Sequence, residues 1–285
     1  GTTANKDFVL NPTPNLLFTR DLAAVVNENV LLSRPAKVAR IREFLLMEML
    51  VKFHPLLGDL KPNILTIAEQ ETIEGGDVLV VSEDLVLIGM SERTSFSGLM
   101  TAAEGLISKG VQTVLAVDIP KQRSSMHLDT IFTFASRDEC LVFPPAITER
   151  KKNVVKLTSE NGSVNARVMH SLKDALEECM GHPITFINCG GDSRTNQFRE
   201  QWTDGANVFA LAPGVIVGYE RNTNTFKALE EHGYEVINQF DFIDEYRDKP
   251  FEPGNKKMAI GFEGNELCRG RGGARCMTLP VSRIS

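Results

Sequence analysis

No part of this 285-residue chain approaches the ~18 consecutive apolar residues that a membrane-spanning helix requires. Positive charge is also in short supply: 31 Lys and Arg stand against 37 Asp and Glu, a formal net charge of -6. Nucleic acid and anionic membrane both need a basic face to meet phosphate, so neither is expected as a partner. Residues 1–7 do not read as a signal peptide, and a cytoplasmic location is expected. The five cysteines (Cys140, Cys179, Cys189, Cys268 and Cys276) are odd in number, far apart and without a CxxC pairing. That pattern argues against a disulfide framework and a structural zinc site, and reduced thiols are expected. The pairs Gly75-Gly76 and Gly190-Gly191 lack the Lys-Ser/Thr ending of a phosphate loop, so they read as tight backbone turns.

What the chain does have is a cysteine in unusual company. Arg269-Gly270-Arg271-Gly272-Gly273-Ala274-Arg275 precedes Cys276. The glycines allow close backbone approach, and the arginines predict a cationic setting that favours the thiolate. Cys276 is therefore the candidate nucleophile. Acids and one histidine wait upstream in Phe18-Thr19-Arg20-Asp21, Glu74-Gly75-Gly76-Asp77 and His127-Leu128-Asp129.

The chain repeats itself loosely. Four stretches begin near residues 18, 73, 127 and 189, and each reads as strand, strand, helix, strand. Expected strands include 23–26, 30–32, 78–81, 85–88, 113–117, 130–135, 139–143, 184–188, 208–212 and 215–217, with closing strands at 259–261 and 277–281. Helices are expected over 36–52, 96–109 and 171–180, with one more ending near residue 232. Asp84-Leu85-Val86-Leu87-Ile88-Gly89 is echoed by Pro213-Gly214-Val215-Ile216-Val217-Gly218, and Cys189-Gly190-Gly191-Asp192 echoes Glu74-Gly75-Gly76-Asp77. A period of this kind predicts radial or stacked units, none able to bury its own faces. A ring of such units gathers the acidic start of each around a common axis.

Taken together, Asn11-Pro12-Thr13-Pro14-Asn15, Phe18-Thr19-Arg20-Asp21, Glu74-Gly75-Gly76-Asp77, Ser91-Glu92-Arg93-Thr94, His127-Leu128-Asp129 and the segment around Cys276 resemble the arginine deiminases of the guanidino-group-modifying superfamily. The resemblance covers essentially the whole chain. It implies an α/β fold, a five-bladed α/β propeller, in a single catalytic domain over residues 1–285. It also implies a cysteine nucleophile, no metal or other cofactor, and hydrolysis of free L-arginine to L-citrulline and ammonia.

Those roles suit the residue types. A guanidinium is planar and permanently charged, so carboxylates must hold it in paired geometry, and Asp21 and Asp129 are the candidates. Cys276 would attack the guanidinium carbon and form a covalent thiouronium. His127 would protonate the departing amine and then activate water, and Glu74 resembles the family acid that orients this histidine. Arg40 and Arg93 sit where the resemblance places arginines for the substrate carboxylate. Asn15 and Phe18 match pocket-lining residues, and Arg271 matches a mobile loop arginine.

Three other readings remain at the level of sequence. His127 with Glu74, Asp129 and Asp192 has the donor types of a metal site, although His54, His170, His182 and His232 lie scattered. An amidinotransferase would form the same adduct but pass the amidino group to an amine. A non-catalytic guanidine-binding or assembly module is the third. The family carries a substantial segment before its Asn-Pro-x-Pro-Asn motif, including a strand of the ring and a helical insertion. The expectation here is a ring one unit short, weak activity of the chain alone, a mobile lid over residues 266–275, and association of copies through open strand edges.

Overall fold

The computed structural model describes residues 13–57, 63–160 and 163–282. Asn11 and Pro12 of the first motif lie outside the described residues. The hairpin of β1 (Ala23–Val26) and β2 (Asn29–Leu32) turns at Asn27, which sits at φ 53°, a region asparagine tolerates. Helix α1 (Ile41–Phe53) then crosses to β3 (Ile64–Leu65), which pairs parallel with β2. The same order recurs with β4 (Val78–Val80), β5 (Leu85–Met90), α2 (Phe96–Ser108) and β6 (Thr113–Asp118). Here too the first pair is antiparallel and the crossover pair parallel.

Next come β7 (Phe132–Phe134) and β8 (Glu139–Val142). A hairpin of β9 (Val154–Glu160) and β10 (Ser163–Met169) then returns to extend the second sheet beyond β6. Helix α3 (Leu172–Met180) leads to β11 (Thr185–Asn188), parallel to β8. The last sheet is preceded by α4 (Arg194–Trp202) and contains β12 (Phe209–Ala212) and β13 (Val215–Tyr219). Helix α5 (Thr223–Glu231), β14 (Glu235–Asn238), α6 (Gln239–Tyr246) and β15 (Met258–Phe262) complete it. Strand β15 inserts between β13 and β14, parallel to both.

The described residues thus form four separate sheets, three built on one plan and the fourth on a variant of it. This is a mixed α/β fold. The packing follows from residue spacing. Leu99, Ala102, Ala103 and Leu106 recur at helical intervals on α2 and bury against Val86, Ile88 and Val114. Strand β5 carries an apolar run because it is central, buried on both faces and paired parallel to β6. Ser95 caps α2 by accepting from the Gly98 N–H. No helix among the described residues is long and apolar enough to cross a membrane.

Three expectations are corrected. Residues 277–281 are not a strand: the chain turns at the cysteine, closed by Met277 N–H to Gly273 O and Thr278 N–H to Arg275 O, and Pro280 has no N–H to offer a ladder. The start of the fourth unit lies not at 189–192 but just before β12. The intervening α4 buries Gln197, Glu200 and Gln201, so hydrophobic periodicity could not reveal it. Helix α1 begins at Ile41 after a 3-10 turn, Val38–Arg40, later than the expected 36.

Candidate active site

The segment leading into the first strand of each sheet carries a buried acid. Three of these are single 3-10 turns: Thr19–Leu22 with Asp21, Gly75–Asp77 next to Glu74, and Leu128–Thr130 with Asp129, next to His127. The fourth runs from Asp204 to Asn207 before β12. The turns touch closely enough to require glycine. A Cβ on Gly75 would lie 2.2 Å from Arg20 O, and one on Gly76 would lie 2.7 Å from the His127 ring. The glycine pair is needed for close approach between segments rather than for a left-handed turn.

His127 is fully buried between two carboxylates. Its Nε2 lies 2.8 Å from Glu74 Oε2, and its Nδ1 lies 3.5 Å from Asp21 Oδ1. Burial disfavours the imidazolium, but the Asp21 charge, the Glu74 hydrogen bond and the Asp77 charge outweigh it and push His127 up to about 10. Burial raises Asp21, whereas the hydrogen bond and charge of His127 overcome burial at Glu74 and lower it. His127 is therefore a protonated imidazolium near neutral pH.

Arg40 does not lie on the surface, as an arginine on an amphipathic helix usually would. It is buried, donating from Nη1 to Asp21 Oδ2 at 2.6 Å and from Nε to Glu43 Oε2 at 2.8 Å. Its Nη2 reaches Asn15 O at 3.4 Å, while Asn15 N–H donates to Glu43 Oε1. Arg93 approaches Glu74 Oε1 from Nη1 at 3.6 Å, and its Nε has no hydrogen-bond partner among the described residues. Phe18 is buried against Gly270 and Gly272.

Cys276 is buried in the turn after the glycines. Its Sγ lies 3.9 Å from Asp129 Oδ2, and its backbone N–H donates to Asn207 Oδ1 at 3.1 Å. The expected cationic setting is corrected. The arginines adjacent in sequence spend their charge elsewhere: Arg275 Nη1 pairs with Asp129 Oδ2 at 2.6 Å, Arg269 with Glu266, and Arg271 turns away. Burial, then Asp129, Asp21 and Asp204, raise the thiol well above its ordinary value. Cys276 is a protonated thiol here.

Arg271 takes a left-handed backbone, φ 65°, and its buried guanidinium lies over the Trp202 ring. It donates to the carbonyls of Trp202 and Ser124, so the expected loop arginine clamps two segments together.

Asn207 was not singled out by its sequence, yet it joins the nucleophile loop to the Asp129 turn. Its Oδ1 accepts from Gly273 N–H and Cys276 N–H, and its Nδ2 donates to Asp129 O at 2.9 Å. Asp204, also unassigned, has no partner for either carboxylate oxygen among the described residues, and burial pushes it up to about 7. Asp21 Oδ1 and Asp129 Oδ1 likewise lack hydrogen-bond partners among the described residues, although His127 Nδ1 stands 3.5 Å from the former.

Asp21, Glu74 and His127 are near enough to share a metal ion. Asp192 is not part of that group. The trio already contains the Arg40 guanidinium at Asp21 and Glu74, and His127 would have to lose its proton to ligate.

The arginine deiminase family model matches residues 1–242. Arginine deiminase from Bacillus cereus strain B4264 is 38% identical over 97% of this chain and 63% of its own length. Arginine deiminase from Listeria monocytogenes serotype 4a strain HCC23 is 36% identical over the same shares, 97% and 63%. The chain thus spans about 63% of the length of the curated relatives it matches. Among solved structures, a variant of AgrE in complex with L-arginine matches with TM-score 0.64 and 16% identity, over 97% of this chain and 32% of that one. DDAH from Pseudomonas aeruginosa complexed with citrulline matches with TM-score 0.59 and 16% identity, over 94% and 76%. These structural likenesses speak to the fold alone.

Proposed function

The chain belongs to the arginine deiminase family, and from that premise we propose that it hydrolyses free L-arginine to L-citrulline and ammonia through a covalent adduct on Cys276. The observation that carries this reading is the pair of buried oxygens without hydrogen-bond partners among the described residues, Asp129 Oδ1 and Asp21 Oδ1, the latter approached only by His127 Nδ1 at 3.5 Å, on two carboxylates whose charges both act on the Cys276 thiol. A guanidinium supplies N–H donors in a plane, matched to two such acceptors.

The electrostatics give the order of events. Burial first, and the charges of Asp129, Asp21 and Asp204 after it, keep the thiol protonated before substrate arrives. An arriving guanidinium offsets that charge, so the thiolate forms beside the carbon it attacks, with Asp129 Oδ2 the acceptor nearest its proton. The sulfur bonds to the guanidinium carbon. His127, already protonated, gives its proton to a terminal nitrogen as the C–N bond breaks and ammonia leaves. The now neutral imidazole, held by Glu74, takes a proton from water as the water oxygen attacks the thiouronium. The tetrahedral carbon then expels the sulfur as thiolate, which takes back the proton held at Asp129, and the hydroxyl loses its proton, to the departing ammonia or to solvent, as neutral-ureido citrulline is released.

Arg93, with its Nε unpartnered among the described residues, is the better placed arginine for the substrate carboxylate. Arg40 is committed to Asp21 and Glu43 and mainly holds Asp21 in place. Asn15 and Phe18 line the same region, and Arg271 holds the nucleophile loop. The four sheets are four blades of a five-bladed α/β propeller, all within a single catalytic domain. Free arginine is the small-molecule partner.

The test is to incubate the purified chain and its Cys276→Ala variant with L-arginine, with and without glycine. Citrulline release and an arginine-derived mass on the Cys276 peptide are expected from the parent and absent from the variant. Guanidinoacetate in place of citrulline, or citrulline from both proteins, would overturn the proposal.

A further inference from the structure

Next to the groups assigned to the reaction lies a carboxylate without a role in it. Asp77 closes the turn Gly75–Asp77 and is fully buried. Its Oδ1 accepts from the backbone N–H of Leu128, the residue after His127, at 2.8 Å. Its Oδ2 accepts from Ser91 Oγ and from Thr94 Oγ1, each at 2.6 Å.

The direction of those two hydroxyl bonds is fixed by their other partners. Ser91 Oγ accepts from the backbone N–H of Arg93 at 2.9 Å and of Thr94 at 3.1 Å. Thr94 Oγ1 accepts from the backbone N–H of Glu74 at 3.3 Å. A hydroxyl has one hydrogen to give, so with lone pairs engaged by amides each sends its hydrogen to the carboxylate. Asp77 is thus an acceptor three times over. Through Ser91 it fixes the backbone of Arg93, through Thr94 that of Glu74, and directly that of the segment carrying His127 and Asp129. The fold leaves room for it at Gly89, where a Cβ would lie 2.5 Å from Asp77 Oδ1.

We propose that Asp77 is the positioning residue that sets His127, Glu74 and Arg93 relative to one another. The proposal rests on the reaction assigned above. An Asn at this position is isosteric but presents a single acceptor oxygen, and its amide would point N–H groups at hydroxyls or at an amide that need acceptors. At least one of the three bonds must be lost, and the segments it ties are free to shift.

The variants to compare are Asp77→Asn, Thr94→Val and Thr94→Ser, read by kcat and KM for L-arginine and by the NMR titration of the His127 imidazole. Asp77→Asn and Thr94→Val are expected to lower kcat about tenfold or more, as the loss of one buried hydrogen bond implies. Asp77→Asn should also raise KM through Ser91 and Arg93, and both variants should move the His127 titration. Thr94→Ser keeps the hydroxyl and should behave as the parent. Should Asp77→Asn fail to fold, the Thr94 pair carries the test. Folded Asp77→Asn or Thr94→Val with parental kcat, KM and His127 titration overturns the proposal. If the parent itself forms neither citrulline nor adduct, the reaction reading has failed; the His127 titration, which needs no turnover, still decides the role of Asp77.

Discussion

Arg275 Nη1 lies 2.6 Å from Asp129 Oδ2, so the residue immediately before the nucleophile neutralises the carboxylate immediately beside it. Its Nη2 also donates to Val78 O, at 3.0 Å. The same carboxylate is proposed to receive the substrate guanidinium, so one of its oxygens is engaged by the protein's own guanidinium. Replacing Arg275 by Gln leaves the buried Asp129 charge without its cation, which should destabilise the fold by about 3 kcal/mol. Part of that loss should return when L-arginine is added. Thermal melting with and without L-arginine checks this: the stabilising shift is expected to be larger in Arg275→Gln than in the parent, and an equal or smaller shift would count against shared use of Asp129.

His127 ties stability to pH. Its imidazole is pushed up to about 10 from the ordinary 6.5, so folding takes up a proton between those values. The stability it contributes is fully present below 6.5 and is lost as pH rises through 10. The fall can be no steeper than about 1.4 kcal/mol per pH unit for one group. Asp77 and Asp204, both pushed up to about 7 by burial, also bind protons on folding, and their share of the decline is complete once that value is passed. Urea unfolding between pH 7 and 8, below the ordinary 9.0 at which the raised, buried thiols of Cys140, Cys189 and Cys276 begin to add their own decline, should therefore show a fall in the parent that His127→Gln flattens. A variant with the parental slope would show that other groups cause it.

Gly76 tests how tightly the histidine is held. A methyl group there meets the His127 ring at 2.7 Å and Asp21 Oδ1 at 3.0 Å, both fixed by partners on their far sides. Gly76→Ala should cost about 1–3 kcal/mol of stability, typical of forcing extra volume into a packed site. It should also lower kcat by at least about tenfold, since even a small displacement of a reacting group is costly. A Gly76→Ala protein with parental kcat at a temperature where it is folded would mean that the ring can move away without consequence.

Much of the fold was legible because its strands are apolar and short and its helices carry spaced apolar residues. Strand β1, residues 23–26, is found where its sequence placed it, and α2 begins at Phe96 as expected. The β9–β10 hairpin shows only a weak signal: Val164, Ala166 and Val168 alternate with Ser163, Asn165 and Arg167, but most of Ser163–Met169 faces solvent and the strand carries no strongly apolar run. Helix α4 escaped for the opposite reason: the side chains it buries are Gln197, Glu200 and Gln201. The electrostatics of Cys276 are not legible in its flanking sequence, because neighbours in sequence are not its neighbours in space. The acid that faces the sulfur is 147 residues away, whereas the arginine one position away is paired to that acid. The pairing of Arg40 with Glu43 is not legible in the sequence, because it shows only when both are buried on the same turn.

Asn207 shows the same lesson and yields the last prediction. One side chain accepts from two amides of the nucleophile loop, 66 and 69 residues away, and donates to the carbonyl of Asp129, 78 residues away. Asn207→Asp preserves shape and keeps an acceptor for Gly273 and Cys276. It loses the donor to Asp129 O, so a carboxylate oxygen faces a carbonyl oxygen and a further negative charge is added near the thiol. Both effects push Cys276 in the direction in which the acids already push it. Alkylation of Cys276 by iodoacetamide at pH 8 should slow by at least about tenfold relative to the parent, corresponding to one unit or more in thiol pKa. Asn207→Ala should instead lose about 2–4 kcal/mol of stability, because two buried N–H groups and a carbonyl are left unpaired. An Asn207→Asp thiol that reacts at the parental rate would show that the loop holds its position, and its charge environment, without this side chain.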